Sequence, residues 1–286
     1  MPAPQPARGK VLVVGATGKL GTATTHLLLA EGFSVRAMTR EPGKAAQLAG
    51  RGAEVFAADL RNPDSLRRAC ADVEFVIAAA HAALEKGANC PETVDGQGHR
   101  DLIDAAKTAG VRRFAYASAA DIGADHPVDF FRIKFATEAY LQTSGLDYAI
   151  IRGPAFMETQ HEVLGGMIVR KRKAFLFGRG RGRGNFVSVE DMARFLVWSL
   201  ADERLRNKTT LVGGPDNLTQ NQLVDIYAAA CGFPVKRVYV PVPVLKICKF
   251  LLGPFHPVAK RILTMGIMIA ESDTSFAAEA LHSEFS

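Results

Sequence analysis

The feature that most constrains this chain is a glycine loop held between a strand and a helix. Lys10–Val14 reads KVLVV, an uninterrupted apolar run of the kind buried on both faces of a parallel sheet. Gly15-Ala16-Thr17-Gly18-Lys19-Leu20-Gly21 follows without a gap, and residues 19–31 then carry a helical pattern stopped by Gly32. In such a GxxGxxG loop Gly15 permits the tight turn. Gly18 lets backbone approach a pyrophosphate, and Gly21 lets the helix sit close on the sheet. The helix N-terminus then offers free N–H groups and a positive dipole end to an anion. Placed between a strand and a helix, the loop predicts dinucleotide binding by Gly15, Thr17, Gly18, Lys19, Leu20 and Gly21.

The rhythm of the first half supports this. Apolar runs at 34–38, 53–57, 74–80, 113–117 and 147–151 alternate with amphipathic stretches at 96–109 and 130–143. Strands alternating with helices at this spacing predict an α/β fold, a Rossmann-like doubly wound parallel sheet with helices on both faces. After Pro154 the rhythm breaks. A loop-like or helical stretch at 156–169 leads into a Gly/Arg run, and a helix at 187–201 follows. A strand at 209–212, a helix at 219–230 and a strand at 238–240 come next, and four prolines from Pro241 to Pro257 predict short helices beyond them. The expected organisation is a loose tail at 1–9, a nucleotide-binding domain at 10–154, and a smaller C-terminal substrate or partner lobe at 155–286, partly interleaved with the first. Residues 1–9 hold three prolines and no apolar core, so they do not read as a signal peptide. Residues 285–286 end a helix-like stretch expected to be mobile.

The second strand indicates which dinucleotide. An NAD site places an acid at its tip to hold the ribose 2′-OH. Here the tip is Met38-Thr39-Arg40, and a guanidinium suits a 2′-phosphate. NADP is therefore favoured over NAD, with Lys19 and Lys44 adding charge. Asp59 and Leu60, after the third strand, stand where an adenine edge lies. Ala79 belongs to a run of small residues that leaves room for a cofactor at the fourth strand's end.

At this point the chain resembles the atypical short-chain dehydrogenase/reductase superfamily, NmrA-like NAD(P)-binding group. The resemblance is carried by VLVVGATGKLG at 11–21, ADL at 58–60 and VDGQGHRDLIDAAKTAGVRRFAYASA at 94–119. SGLDYAIIRGPAFME at 144–158 and NFVSVEDMA at 185–193 add to it. It spans roughly residues 10–240 and implies bound NAD(P) and a substrate cleft formed with a variable C-terminal lobe. The group includes quinone reductases, isoflavone-reductase-like enzymes and non-catalytic redox sensors. The superfamily's catalytic Ser is matched by Ser118 and its Lys by Lys134, but its proton-donating Tyr is Phe130. Lys134 also resembles the lone lysine of isoflavone-reductase-like members. The reading competing with a site role makes Lys134 and Glu138 an i,i+4 salt bridge on an exposed helix face. Arg152-Gly153-Pro154 departs from the family's Arg-Pro. Without the Tyr, NADPH-dependent reduction of a quinone or other conjugated apolar acceptor by direct hydride transfer is expected. The alternative is a non-catalytic NAD(P)-binding sensor or assembly factor that presents its surface to a partner protein.

Charge and cysteines bound the rest. The net charge of +6 is local: residues 170–184 carry seven cations and residues 236–261 six more, neither with an acid, so the remaining chain is net negative. The run GRGRGRG at 178–184 lacks repeated aromatics, which predicts a flexible basic flap and no nucleic-acid binding. VLKICKFLL at 244–252 reads as a core-packing helix or as a membrane-surface contact. These two basic segments are the expected sites of any weak membrane-surface or protein contact. Four scattered cysteines read as buried thiols of a reduced cytoplasmic protein, and no metal-ligand spacing occurs. Ser118, Asp121 and His126 lack the GxSxG elbow, so no hydrolase is expected.

Overall fold

The computed structural model describes residues 8–275, so most of the expected N-terminal tail and the end at 285–286 lie outside the described residues. Two compact units emerge. The first runs to Asp125 and adds Phe130–Arg152 and Val189–Leu211; the second is His126–Asp129, Gly153–Ser188 and Val212 onward.

The first unit is built on a seven-stranded sheet. Its strands are β1 (Lys10–Val14), β2 (Ser34–Thr39), β3 (Glu54–Ala57), β4 (Phe75–Ala78), β5 (Arg113–Ala119), β6 (Tyr148–Gly153) and β10 (Lys208–Leu211). They lie in the order β10-β6-β5-β4-β1-β2-β3. The pairs β2–β3, β1–β2, β1–β4, β4–β5 and β6–β10 are parallel. The order reverses direction at β1, with β2 on one side and β4 on the other, which is the switch point where α/β sheets bind ligands. The helices are α1 (Lys19–Ala30), α2 (Ala46–Gly50), α3 (Pro63–Cys70), α4 (His99–Thr108), α5 (Asp129–Thr143) and α8 (Val189–Trp198). Val11, Leu12, Val13 and Val14 are all buried, as a strand covered on both faces requires. Leu12, Val76, Leu102, Phe114, Tyr116 and Ile150 belong to one continuous core. Each large side chain removed from water there stabilises the fold by about 1.5–3 kcal/mol.

The expected helix at 96–109 begins earlier, in a π-helical turn over Glu92–Gly98. Gly98 explains it: a Cβ there would fall 2.9 Å from the Leu60 carbonyl oxygen, so only glycine allows the turn to press against the end of the third strand's loop. The segment after residue 188 belongs to the first unit because α8 packs on α1 and because Arg113 reaches it. Buried Arg113 donates to the Ser199 carbonyl at 3.1 Å and to Glu203 Oε1 at 2.5 Å.

The second unit holds β7 (Ala155–Phe156), β9 (Arg183–Val187) and β11 (Asn217–Thr219) in one small sheet, and β8 (Lys173–Phe177) beside β12 (Lys236–Val240) in another. Its helices are α6 (Met157–Gln160), α7 (Gly166–Lys171), α9 (Gln220–Cys231), α10 (Val242–Leu252) and α11 (Pro257–Glu271). Leu164, Ile168, Ala174, Leu176 and Val224 form its core. Thr219 and Gln222 make a capping box at the start of α9, satisfying N–H groups the helix itself cannot.

Three expectations change here. The Gly/Arg run is a tight turn between β8 and β9, not a flexible flap. A Cβ on Gly182 would fall 1.7 Å from the Ile269 carbonyl oxygen, so the run is pinned against α11 by its lack of side chain. The region after Pro241 is not all short helices, because Pro257 opens a helix of 15 residues; proline is well placed at a first turn. Only Cys70 is buried, while Cys90, Cys231 and Cys248 are half-buried, and all four are free. Among the described residues no helix is long and apolar enough to cross a membrane.

Candidate functional site

The loop between β1 and α1 has the geometry its glycines suggest. Gly15 adopts φ +82°, and a Cβ there would sit 2.8 Å from the Ala80 backbone. A Cβ on Gly21 would fall 2.1 Å from the Gly15 carbonyl oxygen. The turn closes with Gly18 N–H donating to that oxygen at 3.0 Å, and the Thr22 hydroxyl donates to the Ala16 carbonyl at 3.0 Å. Gly18 caps α1 with no side-chain hydrogen bond, and the first turn holds no acid. The helix end therefore carries no side-chain cap and no acid, an arrangement that can hold a dinucleotide pyrophosphate. Gly18 and Lys19 are exposed, Thr17 is half-buried, and Leu20 is buried in the core. Leu20 thus contributes backbone only.

Arg40 stands exposed just past β2, with Nη1 donating to Asn89 Oδ1 at 2.7 Å. Asp59 is half-buried and gripped by Arg61, which donates from Nε at 3.0 Å and from Nη2 at 2.5 Å. Hydrogen bonds from Arg61 hold the Asp59 carboxyl below its usual range, and the Arg40 charge adds to this. Two guanidinium groups therefore act on one carboxylate beside β2 and β3. Arg61 and Asn89 were not legible as site residues, since neither falls in a motif. Lys44 is committed to Glu41 at 2.9 Å. Leu60 is buried, and Ala79 is half-buried where β4 ends.

The third group lies where α5 packs on β5. Lys134 is 4% exposed, so it is not on an exposed helix face. Its Nζ donates to the Ala117 carbonyl at 3.0 Å and the Tyr116 hydroxyl at 3.2 Å, and lies 3.8 Å from Asp95 Oδ1. It also sits 4.6 Å above the Tyr116 ring. Asp95 is fully buried; its Oδ2 accepts from Ala82 N–H at 2.8 Å. Lys134 does not bridge to Glu138 one turn on. Glu138 is itself buried and takes Arg152 in a two-toothed contact, with Nη2 at 2.6 Å and Nε at 3.1 Å. Both residues face inward because this side of α5 lies against the sheet, where partners come from other elements.

Burial pushes the Lys134 ammonium's pKa down, opposed by Asp95 and Glu138. Burial, then the same two carboxylates, pushes the Tyr116 hydroxyl well above its usual range. His99, fully buried, is pushed down to about 3 by burial and then by the Lys134 charge. Its Nδ1 donates to the Val94 carbonyl at 2.8 Å, and its Nε2 is buried with no partner among the described residues. Phe130 is buried, edge-on to His81 with ring centroids 6.1 Å apart. The Ser118 hydroxyl, next in chain to the carbonyl that Lys134 holds, is buried and also has no hydrogen-bond partner among the described residues. Among the described residues no base is hydrogen-bonded to it, and a buried hydroxyl of this kind is one a ligand can satisfy. Asp95, His99 and Tyr116 escaped the sequence reading. Their only signal was an acid and a histidine in an otherwise small-residue stretch, VDGQGH, ahead of an apolar helix.

Comparison with known proteins shows the family and the fold. The profile of the NAD(P)H-binding family matches residues 15–203. The chain is 29% identical over 230 residues to the NAD(P)H azoreductase of Xenophilus azovorans, spanning 80% of this chain and 77% of that one. It is 26% identical over 278 residues to the Photosystem II assembly factor Ycf39 of Guillardia theta, spanning 96% and 88%. Among solved structures it is similar to the Citrobacter sp. triphenylmethane reductase complexed with NADP(H). The TM-score is 0.78 at 23% identity, over 96% of this chain and 95% of that one.

Proposed function

We propose, on the premise that this chain belongs to the NAD(P)H-binding family, in the atypical short-chain dehydrogenase/reductase NmrA-like group, that it is an NADPH-dependent reductase of quinones or other conjugated apolar acceptors. One observation carries the reading. A buried lysine holds the Ala117 carbonyl, the next residue is a buried serine whose hydroxyl has no hydrogen-bond partner among the described residues, and the position of the superfamily's proton donor is a phenylalanine. The site therefore offers positive potential without the superfamily's proton donor, since its own phenol, Tyr116, is fully buried against Lys134.

In this reading Gly15–Gly21 hold the pyrophosphate on the α1 N-terminus, and Arg40 grips the 2′-phosphate. Asp59, Leu60 and Ala79 line the adenine side, and Ser118 and Lys134 lie toward the reacting end. The bound cofactor supplies a hydride. Lys134, where Asp95 and Glu138 oppose the effect of its burial, directs a positive field at negative charge developing on an acceptor; preorganised charge of this kind is worth about 10²–10³ in rate. An acceptor whose reduced anion is delocalised needs no strong acid beside it, because water completes the protonation. The azoreductase relative supports a conjugated acceptor. The four free cysteines support a reducing, cytoplasmic setting.

The second reading is a non-catalytic NAD(P)-binding assembly factor, favoured by Phe130 and by the assembly-factor relative. Loss of NADPH absorbance against a panel of quinones, enones and azo compounds separates the two. Turnover on a conjugated acceptor is expected. Nucleotide binding with no turnover on any member of the panel would transfer the assignment to the second reading.

A further inference from the structure

A surface helix normally turns its polar side to water. Helix α10 turns much of its apolar side to water as well. Leu245 is its buried side chain, while Val244, Ile247, Phe250 and Leu251 are exposed, Phe250 by 80% and Leu251 by 61%. Val244, Ile247 and Leu251 repeat at the i, i+3, i+7 spacing that aligns them on one face. Gly253-Pro254 then turns the chain towards α11, and the turn presents Phe255, 78% exposed. Single exposed apolar residues need no explanation; a contiguous set with two aromatic rings at its tip does.

The rim of this set is cationic. Lys246, Lys249 and Lys260, with Phe250, Gly253, Pro254 and Ile267, line an open depression of about 520 Å³. Lys246 is paired with Glu271 at 2.8 Å. Lys249 and Lys260 have no carboxylate within salt-bridge distance among the described residues. No acid occurs anywhere between residues 236 and 261. Apolar tips beside lysines, with Glu271 on Lys246 and no carboxylate on Lys249 or Lys260 among the described residues, complement a surface that is oily within and anionic at its edge. Lysine stems lie along apolar surface and keep their charge at the polar boundary. The rim of the depression contains no arginine fork of the kind that reads a particular carboxylate or phosphate in two-toothed fashion.

We propose that the α10–α11 corner is a peripheral docking surface for a bilayer carrying anionic lipids. Phe250, Leu251 and Phe255 enter the interfacial layer, and Lys249 and Lys260 meet the headgroups. No described helix spans a bilayer, so the contact is reversible and weakens with salt. It uses none of the residues assigned to nucleotide binding.

Co-sedimentation of the full chain with vesicles tests this. One set is phosphatidylcholine alone and the other contains roughly one third phosphatidylglycerol. The wild type is expected on the anionic vesicles and largely free of the neutral ones. Phe250→Ser with Phe255→Ser, and separately Lys249→Glu with Lys260→Glu, are each expected to weaken binding by about tenfold or more. NADPH affinity should stay unchanged in both variants, which shows that the fold survives. The proposal is overturned if the protein ignores anionic vesicles, binds both vesicle types equally, or binds the anionic ones undiminished by the phenylalanine pair. It is also overturned if the phenylalanine pair instead turns a self-associated protein into a monomer that never bound vesicles, since the corner then joins two copies of the chain.

Discussion

Lys134 shows how a residue changes meaning with burial. Alone on a helix face its removal would be nearly neutral. Beside a fully buried Asp95, its loss breaks a buried ion pair, a change that costs about 3–5 kcal/mol. Lys134→Ala should therefore both unfold in less urea and turn over more slowly. Adding Asp95→Asn should restore most of the stability but not the rate, and urea titration alongside steady-state kinetics reads the two separately. Arg40→Ala should weaken NADPH by about 1.5–3 kcal/mol, for a lost charged hydrogen bond, and leave NADH almost unaffected; calorimetric titration with both nucleotides is the measurement. His99 supplies a pH dependence. Burial holds it deprotonated in the folded state down to about pH 3, whereas in the unfolded chain it takes up a proton near the ordinary histidine value of 6.5. Between those values the unfolded state binds more protons, so stability falls as pH falls from 6.5 towards 3, by on the order of 5 kcal/mol in all. His99→Gln should flatten that part of the stability–pH curve, and an unchanged slope would show that His99 is not its source.

At the scale of elements, the glycine loop is the part where sequence spacing and geometry coincide. Gly21→Ala drives a Cβ to within 2.1 Å of the Gly15 carbonyl oxygen, and backbone there has nowhere to go, so the cradle must open. NADPH affinity should fall by more than about tenfold, the equivalent of 1.4 kcal/mol. Gly32→Ala is the control. It meets nothing within 4 Å, and its φ of +84° makes it costly by about 1–2 kcal/mol, with nucleotide affinity unchanged. Strands β1 to β6 were readable because each is an apolar run bounded by turn residues, β1 to the residue, whereas β7, β8, β9 and β11 were not. The π-helical turn at Glu92–Gly98 was not, because its cause is the Leu60 carbonyl, which is distant in sequence. The Gly/Arg run misled for a related reason. Alternating glycine and arginine signals flexibility unless a neighbour fills the space the missing side chains leave, as Ile269 does at Gly182.

For the whole molecule, ligand binding and stability are one measurement. If NADPH binds only the folded chain, a concentration one hundred times its Kd should add about 2.7 kcal/mol to unfolding. NADH at the same concentration should add less, and thermal melts with each nucleotide would reveal equal shifts if Arg40 does not discriminate. The sequence by itself determined the nucleotide-binding architecture. Apolar runs, helix stops and a glycine triplet are local properties, and their order along the chain dictates a parallel sheet and the place of a phosphate. It also marked Lys134, Ser118 and the missing tyrosine at Phe130, since these sit in a motif. Only the tertiary structure decided that Lys134 is buried, that Asp95, Tyr116 and His99 surround it, that Glu138 belongs to Arg152, and that α10 turns its apolar face outward. The physical reason is range. Propensity and periodicity act over a few residues, whereas a buried charge takes its partner from whichever strand or loop the fold brings within 4 Å. Whether an apolar helix face is core or surface depends on what the rest of the chain leaves to cover it.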